Sequence, residues 1–527
     1  MNTDVDLAVV PTFDPDAQGP RALAALHNLP FVSLREVQIT IDAASALPVH
    51  ILTRARAVAY LVDDERVMVA VADPANVQML DDLRLASRVP IDFAVAPANE
   101  IDAEFRRLAR GQEMLERADA ISEISIAEDA TDLEAEDGIS DAPPIKLVNS
   151  IIMQASEEGA SDIHFLPQAN ALIARMRVDG MIQEVERIPR RHAKSVVTRI
   201  KVLAKLDIAE HRLPQDGRFS LRPRSTGKLV DVRVAVLPTV EGEGVIMRLL
   251  DKSRQAPTLT EIGLSNEMQM QIEEAIYRPN GCVLVTGPTG SGKSTTVHAA
   301  LVDMRCPEVN IVTIEDPVEY RLAGVYQMQV NLRAGLTFAS GLRSILRSDP
   351  DVVMVGEIRD SETAKITLEA ALTGHSVLST MHTNDAAGAV ARLQDLDVEP
   401  FVTASAVSAV LAQRLVRRLC FQCRDPYTPT PGDLAFLGFS PEAVDEGVTL
   451  YRQRGCPDCV KGFRGRTGVF QLMVVNTDVA ALIAAQAPHD DLVEAATRGG
   501  MRTIWADGLD KASAGLTTID ELNRVVR

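Results

Sequence analysis

The sequence predicts an α/β protein of several domains, in which an open parallel sheet fills the C-terminal half behind two smaller α+β units. Three observations predict it. The chain has 527 residues, several times what a single core of about 100–200 residues needs. From about residue 256 short apolar runs alternate with helical patterns, as they do when strands are joined by crossover helices. Four of the six cysteines form two Cys-x-x-Cys pairs within that half, which points to a metal-binding subdomain rather than to disulfides. Hydrophobic content of 46% and charged content of 24% are globular averages, so a collagen-like or wholly disordered chain is excluded.

In chain order, residues 1–110 form a first domain. A short helical pattern opens it, followed by an alternating strand over 66–72, the helical VQMLDDLRLAS and a strand at Ile91–Val95. Residues 111–144 read as a linker. Between Glu113 and Asp141 stand eleven acidic residues against the single base Arg117, and Pro143-Pro144 follows. Such a segment has too little apolar surface to offset its ordering entropy. It carries ten of the nineteen excess negative charges, so the acidity of the chain belongs largely to the linker.

Residues 145–255 form a second α+β domain. ALIARMRV and MIQEVER flank Asp179-Gly180, a two-residue hairpin signal. Leu172, Ala174, Met176 and Val178 alternate with Arg175 and Arg177, which puts an apolar set on one face. GRFSLRP and KLVDVRVAVLP supply two more strands, and a helix bearing Val197, Ile200 and Ala204 lies between. Residues 256–527 carry the parallel sheet, with the tetracysteine subdomain at 415–470.

The chemistry concentrates there. The apolar run 282–285 enters Gly287-Pro288-Thr289-Gly290-Ser291-Gly292-Lys293-Ser294-Thr295, and a helical pattern follows. This is a P-loop in its required strand, loop and helix context. Its glycines let backbone N–H groups wrap phosphates at a helix N-terminus, Lys293 should reach the β and γ phosphates, and the Ser294 hydroxyl should ligate magnesium. A strand over 310–314 ends in Glu315-Asp316-Pro317-Val318-Glu319, and one over 352–355 ends in Gly356-Glu357. Acids at the carboxyl ends of parallel strands are expected to face the ligand crevice. A helix before the second of these strands should place Arg343 and Arg347 on one face. Cys420-Phe-Gln-Cys423 and Cys456-Pro-Asp-Cys459 offer four thiolates, the donor set of closed, structural zinc. The residues between the pairs are expected to contribute little apolar core, and Cys282 and Cys306, outside the cluster, are expected to pack.

With these motifs in view, four segments in order resemble the Walker A, Asp, Walker B and His boxes of the secretion ATPase superfamily. They are 287–295, TIEDPVEY at 313–320, LRSDPDVVMVGEIRD at 346–360 and TGHSVLSTMHTN at 373–384. Within it the chain is similar to the GspE/PilB branch, which includes the motors of type II secretion and type IV pilus assembly. The resemblance runs from about residue 143 to the C-terminus and continues more weakly through 21–110. GASDIH at 159–164 and RLPQDGR at 212–218 extend it. Leu166 stands where an acid is usual in that branch, and Gln471 where a glutamate is usual.

The resemblance implies a RecA-like ATPase domain, a PAS-like lobe over 145–255 that closes on the nucleotide, and a hexameric ring. It implies ATP, Mg2+ and Zn2+ as cofactors. It assigns Glu357 as the Walker B acid, Glu319 to orient water and His382 to sense phosphate, with His375 as a second candidate histidine. Arg212, Arg218 and Arg233 would reach the phosphates from the smaller lobe. It further implies that the N-terminal domain docks on a GspL-like inner-membrane protein and that the ring engages a GspF-like one.

The first residues, MNTDVDLAVVPTFDPD, show no basic start or long apolar run, and no segment reaches 18 apolar residues. The expected location is therefore cytoplasmic, peripheral to the inner membrane through partners. Aromatic content of 4% and arginine clusters that are only local speak against a nucleic-acid motor. Secretion and pilus assembly are not separated by the boxes, and length favours type II secretion. An N-terminal domain that reads a cyclic dinucleotide is a third alternative, disfavoured by the lack of an Arg-Leu-Gly start.

Overall fold

The computed structural model describes residues 20–34, 37, 47, 49–62, 66–87, 89–102, 143–221, 229–251 and 255–526. The acidic segment 113–141 lies outside the described residues.

The first domain is a three-stranded sheet of β1 (Ala57–Val62), β2 (Val67–Val71) and β3 (Ile91–Val95). β1 pairs antiparallel with β2, and β2 runs parallel to β3 through the helix Val77–Ala86. The expected helix and two later strands are present. β1, AVAYLV, escaped the sequence reading because it is buried at Ala57, Val58, Ala59 and Tyr60 and so shows no alternation.

The second domain is a six-stranded antiparallel sheet in the order β6-β5-β4-β9-β8-β7. Its strands are β4 (Asp162–Pro167), β5 (Ala171–Val178), β6 (Met181–Pro189), β7 (Gln215–Leu221), β8 (Val230–Thr239) and β9 (Gly242–Asp251). The Asp179-Gly180 hairpin forms as expected, with both residues at positive φ. The helices Pro143–Glu157 and Arg190–Leu203 cover one face. Val148, Ile151, Ile152, Val196, Val197 and Ile200 bury there against Ile163, Phe165, Ala174 and Val234. The first of these helices begins at Pro143, inside the expected linker, because proline suits the first helical turn. Across the opposite face the register sets Arg218 opposite Arg233, Arg233 opposite Arg248, Arg248 opposite Asp162, and Asp162 opposite Arg177.

The third domain is a seven-stranded sheet in the order β12-β11-β13-β14-β10-β15-β18. It contains β10 (Gly281–Thr286), β11 (Ile311–Glu315), β12 (Tyr326–Gln329), β13 (Val352–Val355), β14 (Ser376–Met381), β15 (Val407–Leu419) and β18 (Phe463–Val474). The expected parallel pairing holds for six strands, whereas β18 pairs antiparallel with β15. Helices cover both faces, so β10 and β13 are buried along almost their whole length and their apolar runs show no alternation. The helix preceding β13, Phe338–Ile345, is shorter than expected and Leu346 caps it. Arg347 therefore lies beyond the helix, and only Arg343 sits on its face.

β15 and β18 carry the cysteine pairs at the end of their shared ladder. The excursion between the pairs holds the short antiparallel strands β16 (Asp425–Tyr427) and β17 (Leu450–Arg452) and the helices Pro431–Leu437 and Pro441–Glu446. It is better anchored than the sequence suggested. Leu434 and Leu450 are fully buried, Tyr427, Leu437 and Phe439 pack on the sheet core, and Trp505 Nε1 donates to the Leu437 carbonyl at 2.8 Å. Cys306 also departs from expectation: it is exposed just past the helix Lys293–Met304. Cys282 is buried on β10, and burial pushes its thiol up to about 12.

Candidate functional site

The site forms at the carboxyl ends of the parallel strands. β10 runs into the loop 287–292, and the helix Lys293–Met304 starts immediately after it. A Cβ on Gly287 would lie 2.5 Å from the Gln413 carbonyl and 2.6 Å from Ser291 Oγ, so only glycine lets the loop pass this close to the neighbouring strand. Gly292 caps the helix at φ +89° with no side-chain partner for the first-turn amides. Those amides and the helix dipole favour an anion.

Lys293 is only 8% exposed. Its Nζ donates to the carbonyls of Gly287 at 2.9 Å and Pro288 at 3.1 Å, and lies 3.5 Å from His382 Nδ1. Burial lowers its pKa, against the opposing pull of Glu357 and, more weakly, Glu319. His382 follows the end of β14, and its Nε2 is 3.4 Å from Glu357. Glu357, two residues past β13, is also ion-paired with Arg359. Three strands thus bring Lys293, His382 and Glu357 into one chain of contacts. Glu319 is exposed on the loop after β11. Ser294 and Thr295 sit in the first turn of the helix, and Thr295 Oγ1 lies 3.3 Å from Tyr320 Oη.

Other expectations fall differently. His375 precedes β14 at the amino end of the sheet, where its Nδ1 donates to the Ala370 carbonyl at 3.0 Å, so it is a structural histidine away from the P-loop. Glu315 does not face the crevice. It is 3% exposed and accepts from Thr313 Oγ1 at 2.7 Å and Gln327 Nε2 at 3.0 Å. Arg212 is 87% exposed and bonds Glu210, whose carboxyl it holds down to about 2. Arg218 and Arg233 are exposed side by side on β7 and β8. Among the described residues none of these three arginines forms a hydrogen bond or ion pair with the P-loop. The lobe meets the third domain elsewhere: the Gly465 N–H donates to Asp179 at 2.8 Å.

The sequence reading missed His298, Gln413 and Arg414. His298 Nδ1 donates to the Ser294 carbonyl at 2.8 Å, and Nε2 is 3.1 Å from Glu315. Burial opposes its charge, but the Glu315 carboxylate outweighs burial and raises its pKa. Gln413 is a buried amide within the apolar run of β15, which is the signal that could have found it. Arg414 donates to the carbonyls of Gln413 at 3.1 Å and Asn384 at 2.8 Å, and burial lowers its pKa. Gln471, where the resemblance leads one to expect glutamate, is buried and accepts from the Ala386 N–H at 3.2 Å.

The four expected zinc ligands converge. Cys420 Sγ lies 3.8 Å from Cys456 Sγ, Cys423 Sγ 3.7 Å from Cys459 Sγ, and Cys456 Sγ 3.6 Å from Cys459 Sγ. All four sulfurs fall within 4.8 Å of one another. A tetrahedron with Zn–S bonds of about 2.3 Å has S···S edges of about 3.8 Å, so the cluster fits zinc.

Comparison with known proteins agrees with this geometry. The family model described as type II/IV secretion system protein matches residues 137–524, and the MshEN domain model matches 27–115. The chain is 49% identical over 396 residues to the type II secretion system ATPase E of Vibrio cholerae, covering 75% of this chain and 77% of that protein. It is 40% identical over 507 residues to the type IV pilus assembly ATPase PilB of Myxococcus xanthus, covering 95% of this chain and 89% of that one. Its fold is also that of the Legionella pneumophila ATPase DotB, with a TM-score of 0.52 over 72% of this chain and 94% of that chain at 22% identity. No helix among the described residues is long and apolar enough to cross a membrane. With a P-loop, two acid-ended strands and a histidine loop in one sheet, and a family model matched across most of its length, the chain belongs to the type II/IV secretion system protein family.

Proposed function

We propose that this chain is the ATP-hydrolysing motor subunit of a type II secretion system. The observation that carries the reading is the contact chain from Lys293 through His382 to Glu357 at the mouth of the P-loop. The backbone amides from 287 to 295 would receive the phosphates. Lys293, now bonded to two loop carbonyls, would exchange them for β and γ phosphate oxygens at little reorganisation cost. Ser294 would ligate magnesium, which when bound offsets the charge of those phosphates. Glu357 is poised to hold the magnesium shell or polarise the attacking water, and Glu319 to orient that water. His382, between Lys293 and Glu357, would report the γ phosphate.

Arg212, Arg218 and Arg233 lie outside this contact chain, so their charge would arrive by closure of the lobe or from the next subunit of a homo-hexamer. Positive groups aimed at developing phosphoryl charge contribute on the order of 10³-fold or more. Zinc would hold the ends of the β15–β18 excursion and take no part in hydrolysis. The N-terminal domain would dock on a GspL-like membrane protein and the ring on a GspF-like one, which places a cytoplasmic motor at the inner membrane. Type IV pilus assembly is the second reading, favoured by the PilB relative that covers 95% of the chain. Deletion of the gene in its native host decides between them: loss of extracellular secreted protein with pili intact supports the first reading, and the reverse overturns it.

A further inference from the structure

Gln413 is 1% exposed and directly follows the buried apolar run 409–412 of β15. The register pairs Thr286 of β10 with Ala412 of β15, so Gln413 stands one residue further on, beside the base of the P-loop. Its amide is spent entirely on that loop and its helix. Oε1 accepts from Thr296 Oγ1 at 2.8 Å, and Nε2 donates to the Ser291 carbonyl at 2.7 Å. A buried amide without partners is destabilising, so the residue is tolerated here because the loop and its helix satisfy both of its ends.

An anion cradle needs its N–H groups turned in and its carbonyls turned out. Ser291 is the position where this orientation is least secure, because glycines at positive φ flank it on both sides and impose no side-chain barrier to rotation of the peptide. The bond from Nε2 draws the Ser291 carbonyl toward β15. The trans peptide then turns the Gly292 N–H away from β15. We propose that Gln413 is a positioning residue for phosphate binding: its side-chain amide fixes the Ser291–Gly292 peptide so that the N–H faces the phosphates.

The proposal rests on the reading of the loop as a nucleotide site, and the test separates the two. ATP and pyrophosphate affinities are measured on the full-length chain by calorimetry, with ATP KM and kcat, for wild type, Lys293→Ala, Gln413→Met and Gln413→Glu. Methionine keeps the volume and removes both hydrogen bonds. Glutamate keeps the acceptor for Thr296 and loses the donor to Ser291. In each Gln413 variant ATP and pyrophosphate should both bind at least about 10-fold more weakly and KM should rise by a similar factor. A purely packing role would lower the melting temperature and leave the affinities of the folded variant unchanged. Wild-type ATP affinity in either folded variant overturns the proposal. If the wild type itself binds ATP no better than Lys293→Ala, the nucleotide reading fails and takes the proposal with it.

Discussion

The ammonium of Lys201, only 1% exposed on the helix Arg190–Leu203, lies 2.5 Å from the Glu243 carboxylate and donates to the Glu210 carbonyl at 2.6 Å. His211 Nδ1 is 2.7 Å from the same carboxylate. A buried cation in the lobe thus ties the turn that carries Arg212 to the β8–β9 hairpin. Removing one partner of a buried pair leaves the other uncompensated, at a cost of about 3–5 kcal/mol. Lys201→Met should therefore lower the stability of the lobe in denaturant melts by roughly that amount. ATP turnover should fall as well, since Arg212 loses its anchored frame. Unchanged stability would refute the pair's role.

Lys293→Ala is expected to cut ATP hydrolysis by at least about two orders of magnitude. The change removes a charge bonded to loop carbonyls and touches no apolar core, so the melting temperature should stay close to wild type. Near-normal turnover in that variant would remove the P-loop from the mechanism.

Elemental analysis should find about one zinc per chain, and Cys456→Ser should lose it. The buried Leu434 and Leu450 and the Trp505 bond to Leu437 confine the consequence. Hydrogen exchange after metal removal should rise at 420–423 and 453–463, while the helix Pro431–Leu437 and the P-loop sheet keep most of their protection. Exchange that rises uniformly across 420–470 would show that the metal, not the apolar anchor, holds the excursion.

Glu521 is buried, where desolvation works to raise its pKa, yet bonds from Arg524 and Arg417 outweigh it and hold the carboxyl down to about 2. A carboxyl held below its unfolded value of about 4.3 stabilises the fold above that value, and the contribution is lost as pH falls toward 2. The C-terminal helices should accordingly melt at lower temperature as pH drops from about 4.3 to 2. Glu521→Gln should be less stable at pH 7 and show a flatter dependence across that window. Parallel pH curves for the two proteins would contradict this.

Specific activity should rise with protein concentration, because Arg218 and Arg233 form no hydrogen bond or ion pair with the P-loop among the described residues. Activity independent of concentration in a monomer, measured by turnover alongside light scattering, would mean that the lobe arginines are not needed in trans.

The order of residues along the chain was enough to reveal the P-loop, the acid-ended strands, the Asp179-Gly180 hairpin and the paired cysteines. Each is a local pattern whose chemistry depends on neighbours a few residues apart. What lies across strands was out of reach. β1 is buried on both faces and has no period to read, and Glu315 resembles a crevice acid until His298 and Gln327 are seen to enclose it. His375 and His382 are equivalent by spacing from their box, and only the direction of β14 sends one to the amino end of the sheet and the other to Lys293. Gln413 is more than a hundred residues from the Ser291 carbonyl it holds. Hydrogen bonds between side chains on neighbouring strands depend on sheet order and register, and long-range packing sets both.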